Sequence, residues 1–282
     1  MILPPIQYLR PATPADAVAT LSEVDGSVVL AGGQTLLNVL KLDLAHPAAL
    51  VDVHRIDALR GVRHTEDSAL VIGAATTYAE LASSPDVRRT HPEVADMAAG
   101  LVDRQVRNRG TIGGNCCLND PTNNFPPLLA ALDARFRILG VAGERVLRAD
   151  EFFLGTLTTA VGRAELLTAI EIPALPTGSV VAHEHLQVGA DSWALARAVV
   201  RLDVTDHVVT DARVVLGAVY GSPLRLSDVE RMLVGSAPAA LPEVELDLDT
   251  ADDVHGSAAY RREMAEVQLR RAVRAAVERS GR

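Results

Sequence analysis

The strongest constraint on the fold is a short apolar run that ends in paired glycines. Ser27-Val28-Val29-Leu30 reads as a buried strand, and it stops abruptly at Ala31-Gly32-Gly33. Residues 35–42 then carry apolar side chains at helical spacing, and Ala49-Leu50-Val51-Asp52-Val53 reads as a second strand. Ahead of them, Thr13-Pro14-Ala15-Asp16 is a helix start, with Thr13 as cap and Pro14 in the first turn. Residues 1–57 are therefore expected to form a small βαβ-type unit.

The pattern changes after Leu59. Residues 69–74 read as a strand, and Thr76-Thr77 caps a helix that begins Tyr78-Ala79-Glu80-Leu81. Residues 92–101 are a further helix. A polar stretch, 103–111, leads into a second glycine turn at Gly113-Gly114-Asn115. Strands resume at 136–139 and 165–172. Pro173-Ala174-Leu175-Pro176-Thr177-Gly178 is the most linker-like segment and marks a boundary between 58–175 and 176–282. Beyond it, residues 199–204 and 212–219 read as strands of an antiparallel sheet. Two or three helices close the chain, including an amphipathic one at 260–277 with one buried stripe.

A net charge of −9 offers nothing to a phosphate backbone, so nucleic acid is excluded as a partner. The two cysteines, Cys116 and Cys117, are adjacent; they can neither hold an iron–sulfur cluster alone nor build a disulfide framework. They are expected to be small packing residues. The histidines are scattered with no H-E-x-x-H, and His183 and His185 on one strand face are too few for a metal site. No basic leader and no apolar stretch of membrane-spanning length is present, so neither a signal peptide nor a membrane span is expected, and a reducing cytoplasm is.

Chemistry is concentrated in the two glycine turns. Ala31-Gly32-Gly33-Gln34-Thr35-Leu36 stands at a strand-to-helix junction, where glycines admit close backbone approach and N–H groups at a helix start favour an anion. Thr111-Ile112-Gly113-Gly114-Asn115, after Arg107-Asn108-Arg109-Gly110, offers backbone N–H groups, a hydroxyl and an amide. Two such loops could clamp a pyrophosphate from two sides without a lysine. Neither matches G-x-G-x-x-G or the Walker A pattern, which disfavours a dinucleotide-binding Rossmann site and a P-loop.

Taken together, the two loops resemble those of the FAD-binding medium subunits of molybdenum hydroxylases, the family of carbon monoxide dehydrogenase and xanthine dehydrogenase. Arg107-Asn108-Arg109-Gly110-Thr111-Ile112-Gly113-Gly114-Asn115 is the specific element. Leu50-Val51-Asp52-Val53, Ile72-Gly73-Ala74-Ala75-Thr76-Thr77, Phe152-Phe153-Leu154-Gly155, Glu165-Leu166-Leu167 and Ser257-Ala258-Ala259-Tyr260-Arg261-Arg262 extend the likeness along the chain.

The resemblance implies an α+β fold. Residues 1–57 and 58–175 would be two FAD-binding subdomains, and 176–282 a C-terminal domain with an antiparallel sheet plus helices. It places Ala31, Gly32, Gly33, Gln34, Thr35, Leu36, Thr111, Ile112, Gly113, Gly114 and Asn115 on the pyrophosphate and ribityl chain. Gly100 or Leu101 would lie beside the flavin, and Val161 would offer a backbone contact. Asn124 stands where many relatives carry Asp, His185 where the family often has Lys, and Gln34-Thr35 where His-Ser is commoner. A neutral imidazole at 185 would stabilise reduced anionic flavin less than an ammonium does.

The function implied is electron transfer. A partner large subunit with the molybdenum cofactor oxidises substrate, and a small subunit with 2Fe-2S clusters carries the electrons. The FAD held here passes them to an external acceptor, in a heterotrimer. A free-standing FAD-dependent oxidoreductase acting on a small metabolite is the alternative, and a module that has lost its flavin is a third.

Overall fold

The computed structural model describes residues 5–101, 103–189, 192–238, 244–248 and 250–281. It divides into two compact units, each assembled from separate stretches of chain: 1–118, 135–152 and 159–172 in the first, 119–134, 153–158 and 173–282 in the second.

The first unit holds two sheets. Gln7–Leu9, Ala49–Asp52 and Ser27–Leu30 form a parallel sheet with Ala49–Asp52 in the centre, in register Gln7↔Ala49 and Ser27↔Ala49. This is the βαβ unit expected from the sequence, with the helix Leu36–Lys41 as the crossover. The helix Pro14–Glu23 begins with a capping box, in which Thr13 Oγ1 accepts from the Asp16 amide at 3.1 Å and the Asp16 carboxylate accepts from the Thr13 amide at 3.1 Å. Its Ala17, Val18 and Leu21 pack with Val51, Val53, Ile56 and Leu59 in an aliphatic core.

The second sheet of this unit has the order Val62–His64, Leu70–Gly73, Glu165–Ile172, Arg135–Gly140, Gly143–Arg148, every pair antiparallel. Phe136 and Phe152, both fully buried, stack with ring centroids 4.1 Å apart, so two of the chain's few aromatics do the work of a large core residue in one place.

The helices of this unit include two that the sequence reading lacked. The polar stretch 103–111 had no element assigned from its sequence; Arg104–Arg109 is a helix, capped by Asp103, whose Oδ1 accepts from the Val106 amide at 2.7 Å. The second glycine turn is likewise no turn but the first turn of the helix Ile112–Leu118. Gly113 is tolerated there because nothing larger fits: a Cβ would sit 2.5 Å from the carbonyl oxygen of Ala74. Cys116 of this helix packs in the interior as expected, whereas Cys117 is exposed.

The second unit is built on one antiparallel sheet, Ser179–Gln187, Ala194–Thr205, Val208–Gly217 and Leu224–Arg225 in that order. The central strand Ala194–Thr205 is buried on both faces, with a different chemistry on each. Ala196, Ala198, Val200 and Leu202 join an apolar core with Ala265, Leu269, Ala272, Val273 and Ala276 of the helix Ala258–Ser280. The alternate residues Arg197, Arg201 and Asp203 point the other way, towards the segment that carries the helix Phe125–Ala131. That helix was not expected from its Phe-Pro-Pro start. The prolines occupy its first turn, where no intrahelical partner is required of the backbone nitrogen.

The charged face is internally neutralised. Asp133, in the left-handed region just past that helix, accepts from Arg201 Nη1 at 2.9 Å and from Arg213 Nε at 3.0 Å. Asp211 accepts from Arg213 Nη1 at 2.6 Å and from Arg201 Nη2 at 3.1 Å. Among the described residues, no helix is long and apolar enough to cross a membrane.

Asp133→Asn retains the shape and the left-handed backbone but leaves two guanidinium groups without their shared carboxylate. We expect a loss of about 1–3 kcal/mol, the cost of stranding buried donors, read as a lower denaturant midpoint for unfolding.

Candidate functional site

The first unit brings both glycine segments together by direct backbone contact. A Cβ on Gly32 would overlap the carbonyl oxygen of Arg109 and lie 2.8 Å from Cα of Gly110. Gly110 is in turn pressed against the Tyr78 ring, where an added Cβ would meet Cε2 at 2.5 Å. Gly33 has φ +73°, a conformation costly for any residue with a side chain. Hence the strand Ser27–Leu30 delivers its glycines onto the C-terminal end of the helix Arg104–Arg109.

The two segments then differ in what they leave available. In the second, the amides of Ile112 and Gly113 donate to Thr76 and Ala74 carbonyls at 3.1 and 2.9 Å, and those of Gly114 and Asn115 donate to Thr111 Oγ1 and O at 3.1 and 3.0 Å. The Asn115 side chain is buried and hydrogen-bonded to the Tyr78 phenol, whose pKa burial pushes up. The exposed N–H groups expected of residues 112–115 are therefore engaged inside the unit, and the segment serves as a buttress.

In the first segment the reverse holds. Among the described residues, the successive amides of Gly32, Gly33, Gln34, Thr35 and Leu36 donate to no protein acceptor. Thr35 is exposed and makes no side-chain capping bond, so its hydroxyl adds a further donor. The Gln34 side chain folds back to Gly32 O at 3.3 Å, and Asn38 Nδ2 donates to the Gln34 carbonyl at 2.8 Å. Amides left without protein acceptors next to a helix start are free to take an anion.

His54 stands near this row and was not singled out from the sequence. Its Nδ1 is buried without a protein partner among the described residues. Burial, then the charges of Arg109 and Arg60, hold its pKa below the usual imidazole value. The neutral ring is thus a candidate hydrogen-bonding group beside the loops. Leu101 lies in the same unit, buried just past the helix Pro92–Ala99, with its carbonyl accepting from Arg107 Nη1 at 2.8 Å. Arg107 is therefore a brace for this corner. Val161 is also in this unit, half-buried, its amide 3.5 Å from Thr159 Oγ1.

Asn124 and His185 belong to the second unit, and the structure links them through a residue that the sequence reading missed. Arg197 Nη2 donates to Asn124 Oδ1 at 2.7 Å, and Arg197 is the register partner of His185 across the antiparallel pair. The available signal was a single arginine in the otherwise apolar run Ala194–Val200-like stretch, residues 194–200, because a charge inside such a strand needs a specific reason. The Asn124 loop is firmly held. Asn119 Nδ2 donates to Gly155 O at 2.7 Å and Thr158 O at 3.0 Å; the Leu157 amide bonds Asn119 O at 3.0 Å; the Ala218 amide bonds Pro121 O at 2.9 Å. Asn119, Leu157 and Ala218 all have positive φ, a concentration of strained backbone typical of functional loops.

The FAD implied by the resemblance fits this arrangement. Its diphosphate requires several donors without a competing carboxylate, and residues 32–36 supply a row of amides. Among the described residues, no group of three His, Cys, Asp or Glu side chains is placed to hold a metal ion.

Comparison with known proteins agrees with that fit. Residues 4–175 match the family described as the FAD binding domain in molybdopterin dehydrogenase, and residues 182–276 match the CO dehydrogenase flavoprotein C-terminal domain. The chain is 37% identical to the carbon monoxide dehydrogenase medium chain of Hydrogenophaga pseudoflava, over 98% of both chains. It is 32% identical to the nicotine 6-hydroxylase medium subunit of Paenarthrobacter nicotinovorans, over 97% of this chain and 98% of that one. The solved structure of carbon monoxide dehydrogenase from Hydrogenophaga pseudoflava gives a TM-score of 0.94 at 36% identity, over 99% of each chain. An α+β chain matched by these relatives along its whole length belongs to the family of FAD-binding medium subunits of molybdenum-containing hydroxylases.

Proposed function

We propose that the chain is the flavoprotein member of a cytoplasmic heterotrimer, with a large subunit that carries the molybdenum cofactor and a small subunit that carries 2Fe-2S clusters. The relatives' own names, medium chain and medium subunit, support partners of larger and smaller size. Bound FAD supplies the redox chemistry: it can accept electrons singly from an iron–sulfur donor and release them as a pair to an external acceptor. The substrate is then the large subunit's choice.

The observation that carries the cofactor reading is the row of five amides at 32–36 without protein acceptors. In this reading Ala31, Gly32, Gly33, Gln34, Thr35 and Leu36 bind the diphosphate directly. Thr111, Ile112, Gly113, Gly114 and Asn115 hold that segment from behind and offer the Thr111 hydroxyl. Leu101 and Val161 line the cofactor from the same unit. Residues 1–57 and 58–175 are the cofactor-binding subdomains and 176–282 the C-terminal domain. In the second unit, burial and the nearby Arg197 charge hold the His185 pKa below the usual imidazole value.

Gly32→Ala should push the first segment away from Arg109 and Gly110. Loss of even one or two charge-assisted hydrogen bonds lowers affinity about tenfold or more, so the purified variant should have lost most of its flavin absorbance. Wild-type flavin content in a folded Gly32→Ala protein would contradict the assignment of this loop. The subunit role is checked by gentle purification from native cells. We expect a large molybdenum-cofactor polypeptide and a small iron–sulfur polypeptide in stoichiometric amount; a yellow protein that arrives alone would make this a self-sufficient flavoenzyme.

A further inference from the structure

The parallel sheet of the first unit ends its three strands at one edge. The register Leu9↔Val51 and Leu30↔Asp52, with the Val53 amide donating to Leu30 O at 3.0 Å, brings out Arg10, the first glycine segment and His54-Arg55 side by side. Ala49–Asp52 lies between the other two strands, so at a strand spacing of about 4.8 Å the chain ends at Arg10 and Ala31 stand about 10 Å apart. Arg109 reaches the same edge from the helix Arg104–Arg109, its carbonyl oxygen packed on Gly32.

Arg10, Arg55 and Arg109 are exposed, and none of them makes an ion pair among the described residues. Their charges are felt within the edge: Arg10 and Arg55 bear on the Tyr8 phenol, and Arg109 bears on the His54 ring. The neighbouring charges do not cancel them. Arg60 is paired with Glu80, and the Asp52 carboxylate, one charge against three, accepts from the Tyr8 hydroxyl and from the His54 amide, the latter at 2.9 Å. The chain as a whole carries 27 basic and 36 acidic side chains, a net charge of −9, so a cationic edge runs against its average. That edge adjoins the amides of residues 32–36, which lack protein acceptors.

We infer that Arg10, Arg55 and Arg109 form an electrostatic collar that steers the diphosphate of a dinucleotide flavin onto the amide row, acting on its rate of arrival more than on its retention. This rests on the reading that residues 32–36 hold the FAD diphosphate. The amides give short, directional hydrogen bonds that act only on contact. The guanidinium groups add a field that reaches about 8 Å at physiological ionic strength and about 30 Å at 0.01 M. A strongly acidic chain repels a doubly charged ligand, and the collar reverses the sign of the field where that ligand must enter.

The test uses the protein as purified from native cells and stripped of flavin, with FAD rebinding followed by flavin fluorescence in a stopped-flow mixer. At about 0.01 M salt, Arg10→Gln and Arg55→Gln should each slow association roughly two- to threefold, and the triple variant with Arg109→Gln about tenfold. The dissociation rates of the Arg10 and Arg55 variants should match wild type. Raising the salt to about 0.5 M should erase the differences in association. Lysine at the same positions keeps the charge and should restore the wild-type rate. Arg148→Gln, on the outermost strand Gly143–Arg148 of the unit's other sheet, makes the same change in net charge and should not slow association. Should Arg109→Gln disturb the segment it borders, seen as a lowered melting temperature, the Arg10→Gln/Arg55→Gln pair decides the matter. Wild-type association in the combined variants would overturn the proposal. So would a slowing that salt does not remove, or one that Arg148→Gln reproduces in full. Wild-type protein that takes up no FAD would bring down the cofactor reading, and the collar with it.

Discussion

The carbonyl oxygen of Arg109 packed against Gly32 is the contact on which the site in the first unit depends. No side chain fits between them, so the strand-to-helix junction and the end of the helix Arg104–Arg109 are held at backbone distance. Other close approaches extend the same logic: Gly110 against Tyr78, Gly113 against Ala74, and the bridge between Thr77 and Thr111. These glycines exist for mutual packing of backbone as much as for a ligand. Their result is a rigid backing, in front of which five amides remain available.

The second unit solves a different problem with the same economy. Its central strand buries small and branched aliphatic residues on one face and arginine with aspartate on the other. Such a charged face is stable only if each guanidinium meets its acceptors, and Asp133, Asp203 and Asp211 meet those of Arg201 and Arg213. Arg197 differs in that it gives a hydrogen bond to an amide, Asn124.

Much of this was legible in the sequence. The strand Ser27–Leu30 and the capped helices Pro14–Glu23 and Tyr78–Ser83 follow from local rules, because apolar runs and capping residues act over a few positions. The helices Ile112–Leu118 and Phe125–Ala131 did not, because Gly-Gly and Pro-Pro read as interruptions until their neighbours are known. Whether a glycine amide faces a ligand or a carbonyl is likewise a tertiary matter: residues 32–36 and 112–115 look alike as motifs, yet only the former keep their donors. Arg197 was hidden for the same reason, since its partner lies 73 positions away along the chain.

The interleaving of the two units also bears on how the polypeptide acquires its structure during synthesis. The segment 119–134 emerges from the ribosome well before the strands on which its helix rests, which belong to 173–282. Asp133 must wait 68 residues for Arg201 and 80 for Arg213. The first unit has all of its stretches once residue 172 is made, whereas the second can be completed only when nearly all of the sequence has been made, so 119–134 waits longest for its partners.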